Sequence, residues 1–336
     1  MIYADQRWIG EHGIGRFARN VLSGLEYHPV PLTTPPASPL DPLRLAFALS
    51  KLTRHDLFFS PGYNSPLFGS ARFVITIHDL NHIDRHENSS QLKRLYYASV
   101  LKRACHRASV VLTVSEFSRS RIIAWSGVSP EKVFKVSNGV DPGFHPGVIP
   151  YQPAFPYILC VGNRKGHKNE VRTVEAFAQS NIDPEIHLLF SGSPTPQLSD
   201  SIERNCVRMR VQFAGFVPSE QLPSLYRGAR ALVFASLYEG FGLPVLEAMA
   251  CGTPVVTSNT TSLPEVAGDA ALLVDPTSVD QLAAAIKRIV DDAPLSQSLR
   301  EKGLRRAAQF PWSTAATAVQ NLLTGLAEEG TGEHLR

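Results

Sequence analysis

A chain of 336 residues that is 43% apolar and 19% charged has material for about two compact units, which excludes a disordered, collagenous or repeat protein. The net charge of +3 is too small to point to nucleic acid, yet residues 1–150 carry 17 Lys and Arg against 11 Asp and Glu, so the basic excess sits in the first half. No apolar run approaches the ~20 residues of a bilayer-spanning helix, and Met1-Ile-Tyr-Ala-Asp5 has neither the basic nor the apolar region of a signal peptide, so a cytoplasmic chain is expected.

Along the first half, Gly13-Ile-Gly15-Arg-Phe-Ala18 spells GxGxxA just before a helix running through Phe17, Val21 and Leu22. A dinucleotide-binding dehydrogenase needs an acidic residue ~20 positions on to hold the ribose. That region reads Thr34-Pro-Pro-Ala-Ser-Pro-Leu40, so the dehydrogenase reading fails. What remains is a plain turn, or a glycine loop bringing backbone N–H groups to an anion at a helix start. Arg72 to His78 reads as a strand ending in Thr76-Ile-His78-Asp79-Leu80, and ligands sit at the carboxyl ends of strands in open α/β sheets. His78, His82 and His86 have a regular spacing, but no carboxylate or cysteine cluster completes a ligand set, so no metal is expected. Cys105, Cys160, Cys206 and Cys251 lack CxxC spacing and read as four buried thiols.

A helix from Gln91 to Ala108 interleaves Lys93, Arg94, Lys102, Arg103 and Arg107 with Leu92, Leu95, Tyr96, Tyr97, Val100 and Leu101. Its charges do not form one clean stripe, which favours a half-buried helix with a solvated face; the other reading is attachment to an anionic membrane surface or an acidic acceptor. A strand at 109–114 and a helix opening at Ser115 complete a strand-helix-strand order, the signature of a parallel sheet. Asn138-Gly139, Asp141-Pro142, Pro146, Pro150, Pro153 and Pro156 then crowd a stretch that no helix or central strand survives, and an interdomain linker is expected there.

The alternation resumes with strands at 157–161, 186–190, 211–213, 231–234 and 254–257, and helices at 170–179, 219–228, 244–251 and 279–291, a second doubly wound unit. A last amphipathic helix covers Trp312 to Leu326. After the first of these strands comes Gly162-Asn163-Arg164-Lys165-Gly166-His167-Lys168-Asn169, which puts three cations beside a helix start. Arginine's planar fork and lysine's point charge suit a diphosphate, against the plainer alternative of a solvated basic turn.

The densest stretch is Tyr238-Glu239-Gly240-Phe241-Gly242-Leu243-Pro244-Val245-Leu246-Glu247. Pro244 suits a first helical turn and Gly252 a helix end. Gly240 and Gly242 let backbone approach a ligand, and N–H groups at the helix start favour a phosphate. Glu239 before the helix and Glu247 inside it can accept hydrogen bonds from sugar hydroxyls at two points along a nucleotide sugar.

These residues resemble those of the retaining glycosyltransferases of family 4. The likeness rests on Glu239 and Glu247 as an E-x7-E pair, with support from Gly13-Ile-Gly-Arg16, Thr76-Ile-His-Asp-Leu80, Thr113-Val-Ser-Glu-Phe-Ser118, Ser137-Asn-Gly-Val-Asp141 and His167-Lys-Asn169. The resemblance implies an α/β GT-B fold, with two facing Rossmann-like doubly wound parallel-sheet domains. Residues 1–150 would form the acceptor side and 151–310 the nucleotide-sugar side, with a helix in 311–336 returning to the first domain. It also implies Glu239 beside the donor sugar, Glu247 on the ribose, Arg164 and Lys168 on the diphosphate, and the Gly13 and Gly15 loop and His78 closing over the donor. Asn163 stands where many members carry arginine, and His167 where many carry another, which makes Lys168 the firmer phosphate ligand. The activity implied is transfer of a hexose or deoxyhexose, mannose or rhamnose favoured, from a nucleotide diphosphate sugar, GDP-linked favoured. The acceptor is a saccharide, free or lipid-linked, in surface polysaccharide or O-antigen synthesis, with no metal and no other cofactor. A noncatalytic nucleotide-sugar-binding protein and a nucleotide-sugar epimerase of the same fold are the alternatives.

Overall fold

The computed structural model describes residues 1–85 and 89–331. They divide into two compact units, one formed by Met1–Gly139 with the chain from Trp312 onward, the other by Val140–Pro311.

The first unit runs β1 (Ile2–Ala4), α1 (Gly13–Leu22), β2 (His28–Pro29), α2 (Asp41–Ala48), β3 (Leu57–Ser60), β4 (Arg72–Thr76) and α3 (Asn81–Asp84). It continues through α4 (Gln91–Tyr96), α5 (Lys102–Arg107), β5 (Val110–Thr113), α6 (Glu116–Ser126) and β6 (Val133–Lys135). All its strand pairs are parallel, in the order β2-β1-β3-β4-β5-β6, with Val74 opposite Val110. Strands β3 and β5 are buried at every position because helices cover both faces, so they read as continuous apolar runs and not as alternation. Phe58, Phe73, Ile75, Val111, Leu45 and Leu101 form the centre of the core.

The expected helix at 91–108 is interrupted: Tyr97–Leu101 forms a π turn between α4 and α5. Tyr97 and Leu101 turn inward, while Leu92 and Leu95 are 74% and 63% exposed.

The second unit runs β7 (Tyr157–Cys160), α7 (Glu170–Gln179), β8 (His187–Phe190), α8 (Pro196–Arg204), β9 (Val211–Phe213), α9 (Leu222–Gly228) and β10 (Ala231–Phe234). It ends with α10 (Leu243–Ala250), β11 (Val255–Ser258), α11 (Leu263–Ala267), β12 (Leu272–Val274), α12 (Val279–Asp291) and α13 (Ala293–Ala307). Its six parallel strands lie in the order β12-β11-β10-β7-β8-β9. The chain winds outward from β7 to one side and then from β10 to the other. The topological switch point therefore falls between β7 and β10, and the loops leaving their carboxyl ends diverge around a crevice.

The proline-rich stretch carries no helix but is bound to the second unit from Val140 onward. The Val140 N–H donates to the Phe310 carbonyl at 2.9 Å, the Phe144 ring packs edge-on to Tyr226, and the Tyr151 N–H donates to the Ser224 carbonyl at 2.9 Å. Prolines remove donors, and the N–H groups left between them find carbonyls on the unit's own surface. Helix α14 (Trp312–Thr331) packs against α1 in the first unit. Its Trp312, Ala315, Val319 and Leu323 recur at helical spacing and are all buried, with Trp312 edge-on to Phe17.

Candidate functional site

In the second unit the loops after β7 and β10 are stapled together by one backbone hydrogen bond and by the Asn169 side chain. The Leu237 N–H donates to the His167 carbonyl at 2.7 Å, and the Asn169 amide donates to the carbonyls of Ala235 at 3.0 Å and Pro276 at 2.7 Å. Asn169 does this from a left-handed conformation, φ +60°, which asparagine tolerates better than most residues. Consequently Lys168 and Glu239, 71 positions apart in the chain, meet: Nζ lies 2.6 Å from Oε1. Each side chain keeps 14% of its surface accessible, and the ammonium also lies over the Phe234 ring at 5.1 Å.

The Glu239 loop is held from the α11 side. The Glu239 N–H donates to Thr261 Oγ1 at 3.3 Å, and the Ser262 hydroxyl lies 2.9 Å from the Glu239 carbonyl and 2.8 Å from that of Phe241. Gly242 has φ +114°, and a Cβ there would stand 2.6 Å from Leu263 Cδ2, so the turn into α10 requires glycine. Among the described residues no side chain caps α10 at Gly242, and Pro244 stands in the first turn. Leu243 opens the helix, and Gly240 and Phe241 are buried against the loop. Glu247, one turn in, is 4% exposed, and its Oε2 accepts from the Tyr226 hydroxyl at 2.8 Å.

Arg164, expected on the diphosphate, is engaged by the protein itself. With φ +61° its side chain folds back along the sheet, where the guanidinium pairs with Glu170 and donates to the carbonyls of Ser191 and, at 2.8 Å, Ser193. It also lies over the rings of Phe190 and Phe213, at 5.1 and 5.7 Å. Burial holds the Glu170 carboxyl above its usual range, with Arg164 and Lys168 opposing. Gly162 makes room for that carboxylate, because a Cβ there would collide with Glu170 Oε1. Arg164 thus braces the loop, and the cation it leaves facing Glu239 is Lys168. Asn163 is exposed.

In the first unit the His12 side chain caps α1, its Nδ1 accepting from the Gly15 N–H at 3.0 Å. Gly15 is required by packing, since a Cβ would stand 2.5 Å from the Gly10 backbone, whereas Gly13 is exposed at the helix start. His78 is buried just past β4. Its Nε2 lies 2.9 Å from the Pro61 carbonyl, its ring meets Phe17 edge-on at 5.1 Å, and its own carbonyl accepts from Ser118 Oγ at 3.1 Å. A carbonyl can only accept, so Nε2 carries the proton and Nδ1 the lone pair. Burial depresses this imidazole to about 4, against the Pro61 hydrogen bond, which raises it. Among the described residues no group of three or more His, Cys, Asp or Glu is arranged to hold a metal, and His86 lies outside them.

Sequence reasoning missed Tyr226, Glu170, Thr261 and Ser262. Tyr226 sits on an expected helix but carries no spacing signal toward Glu247, and the serine and threonine act through contacts that only the folded chain makes.

Two family models together match most of the chain: that of glycosyltransferase family 4 over residues 9–144 and that of glycosyl transferases group 1 over residues 150–306. The O-antigen chain mannosyltransferase B of Escherichia coli is 33% identical over 296 residues, which cover 84% of this chain and 77% of that one.

The chain is a family-4 glycosyltransferase of GT-B fold.

The enzyme also matches the serotype-specific mannosyltransferase WbdA of E. coli, at 27% identity over 62% of its own length but only 28% of that larger protein. Among solved structures, sucrose-phosphate synthase from Thermosynechococcus elongatus superimposes with a TM-score of 0.75 at 21% identity, covering 97% of this chain and 98% of that one. The family-4 segment carries Gly13, Gly15 and His78, and the group-1 segment carries Lys168, Glu239 and Glu247. As a glycosyltransferase it uses a nucleotide-sugar donor and a saccharide acceptor.

Proposed function

We propose that this enzyme transfers a hexose or deoxyhexose, mannose or rhamnose first, from a GDP-linked sugar to a lipid-linked saccharide in surface polysaccharide or O-antigen assembly. The anomeric configuration is retained and no metal or other cofactor takes part. The observation that carries the reading is the Lys168–Glu239 contact at the switch point beside the uncapped start of α10. The departing diphosphate gains negative charge as the sugar becomes oxocarbenium-like. A preorganised ammonium and helix-start N–H groups counter that charge, the kind of contribution that is usually largest in such sites. Glu239 orients the sugar, Glu247 meets the ribose, and the leaving phosphate takes the acceptor proton in a front-face attack. His78, neutral with Nδ1 as acceptor, offers a hydrogen bond to a sugar hydroxyl. The two E. coli relatives, both mannosyltransferases, support mannose as the sugar, and the more similar of them supports the O-antigen setting.

The test is product analysis. GDP-mannose, GDP-rhamnose and UDP-glucose are each incubated with lipid-linked and free saccharide acceptors, with and without EDTA, and the new linkage is read by NMR. Transfer with retained configuration, insensitive to EDTA, is expected. An altered donor sugar with no acceptor glycosylated means an epimerase, and donor binding without turnover means a binding protein; either result removes the proposal.

A peripheral contact with the inner face of the cytoplasmic membrane belongs to the same reading. Among the described residues no helix is long and apolar enough to cross a membrane. Leu92 and Leu95 are exposed beside Lys93 and Arg94 on α4, with Lys102 and Arg103 one segment on, the mixture that favours an anionic interface. Co-sedimentation with vesicles is expected to rise with anionic lipid and to fall in Leu92→Ser/Leu95→Ser; indifference to both counts against the contact.

A further inference from the structure

At the amino ends of β7 and β10, the opposite end of the second sheet from Lys168 and Glu239, lies a cavity of about 600 Å³. Arg227, Arg230 and Arg300 line it together with Tyr151, Phe155 and Tyr157, and no Asp or Glu is among its lining residues. Arg227 uses Nε on the Pro146 carbonyl at 2.8 Å. The Arg230 N–H donates to the Tyr157 carbonyl at 2.8 Å, but among the described residues the guanidinium groups of Arg230 and Arg300 have no hydrogen-bond or ion-pair partner. The carboxylates next along the chain are engaged elsewhere, Asp291 by Lys287 at 2.6 Å and Asp292 by the Leu295 N–H at 2.9 Å. Burial, and then the like charge of Arg227, lower the proton affinity of Arg300. Arg227 and Arg300 are half-buried and repel one another, a repulsion that a bound anion relieves.

The recess is also pre-formed. The Tyr157 hydroxyl donates to the Leu225 carbonyl at 2.7 Å, the Tyr151 and Tyr157 rings lie 6.1 Å apart, and the Tyr151 backbone is tied to Ser224. Gly228 permits this closure, because a Cβ there would collide with the Tyr151 carbonyl. The lining therefore sets guanidinium forks, which match the geometry of a phosphoryl group, beside the exposed Tyr151 ring, which suits the apolar face of a sugar.

We propose that this cavity binds a small phosphorylated solute of sugar-phosphate size, at a site separate from the one that holds the donor.

The probe is glucose 1-phosphate, titrated calorimetrically into the full chain at constant ionic strength set with chloride. A Lys168→Met background removes binding at the donor site. Saturable binding is expected there, weakened by about ten-fold or more in Arg230→Gln/Arg300→Gln, since each charge-assisted hydrogen bond lost is worth at least that. If Arg300→Gln fails to fold, Arg230→Gln alone, at an exposed position, is expected to weaken binding measurably while the ligand-free melting temperature stays put. Absence of binding in the Lys168→Met chain, or binding indifferent to Arg230, overturns the proposal. So does arginine-dependent capture on phosphatidic-acid vesicles without binding of the soluble probe, which would make the phosphoryl group a lipid's.

Discussion

Acidification is expected to destabilise the first unit through His78. In the folded chain, burial holds this imidazole at about 4 against an ordinary value of 6.5. The unfolded chain therefore binds a proton throughout the interval in which the folded chain does not. Stability rises with pH wherever the unfolded state holds more protons, so the contribution is complete above pH 6.5, is lost as pH falls, and is gone below about pH 4. At about 1.4 kcal/mol for each pH unit, that interval is worth about 3 kcal/mol, undiluted by solvent because the ring is buried. The three tryptophans, Trp8, Trp125 and Trp312, all lie in the first unit, so their fluorescence in a urea titration reports that unit alone. Free energies of unfolding of wild type and His78→Gln are compared from pH 7 to pH 4. Carboxylates titrate alike in both, and the difference between the curves isolates the imidazole. Wild type is expected to fall more steeply, the gap closing by about 3 kcal/mol across the range; parallel curves would refute the burial argument.

Four further outcomes follow from the same contacts. Lys168→Met and Glu239→Gln are each expected to lower kcat/KM for transfer by about a hundred-fold or more with little change in thermal unfolding, and normal turnover in both would dismiss the site. Gly242→Ala, at φ +114° and 2.6 Å from Leu263, is expected to cost the second unit about 1–3 kcal/mol in calorimetry; a neutral effect would mean the turn relaxes. Arg7→Met strands the fully buried Asp5 and Asp41, which Arg7 holds at 2.7 Å each, and is expected to cost the first unit about 3–5 kcal/mol by tryptophan fluorescence, with Arg7→Lys restoring only part. Tyr226→Phe removes the hydroxyl that positions Glu247 and is expected to raise the donor KM several-fold with kcat near wild type; an unchanged KM would separate Glu247 from the donor.

The sequence made legible what is local and repetitive. Continuous apolar runs such as Ala231–Phe234 mark strands covered on both faces, and Ser115 marks the start of α6, where its hydroxyl accepts from the Ser118 N–H at 3.0 Å. Helix α13 left no such trace, because only Leu299, Gly303 and Ala307 of its residues are buried, and two of those three are small. Helix α2 was hidden for another reason, standing among prolines with Pro42 in its first turn. The site divides along the same line. The types and order of Lys168, Glu239, Gly242 and Glu247 could be read from local pattern, but the orientation of Arg164 could not, since it depends on a positive φ and on Ser191 and Ser193. Sheet order supplies the missing link, because it identifies which loops diverge. In the second unit the loops after β7 and β10 bring Lys168 against Glu239 by a single contact, with surface left open on both. In the first unit the equivalent switch lies between β1 and β3, and there the charges close on one another. Arg7 is clamped by Asp5 and Asp41, and Asn64 donates to Asp41 at 2.5 Å and to the Pro36 carbonyl at 2.6 Å. A closed network of that kind fixes a loop and has little charge left to offer a ligand, whereas the Lys168–Glu239 pair keeps accessible surface on both side chains, as the proposed donor site requires. That difference in polar satisfaction favours the second unit's crevice for the proposed chemistry, although both sheets end in charged loops.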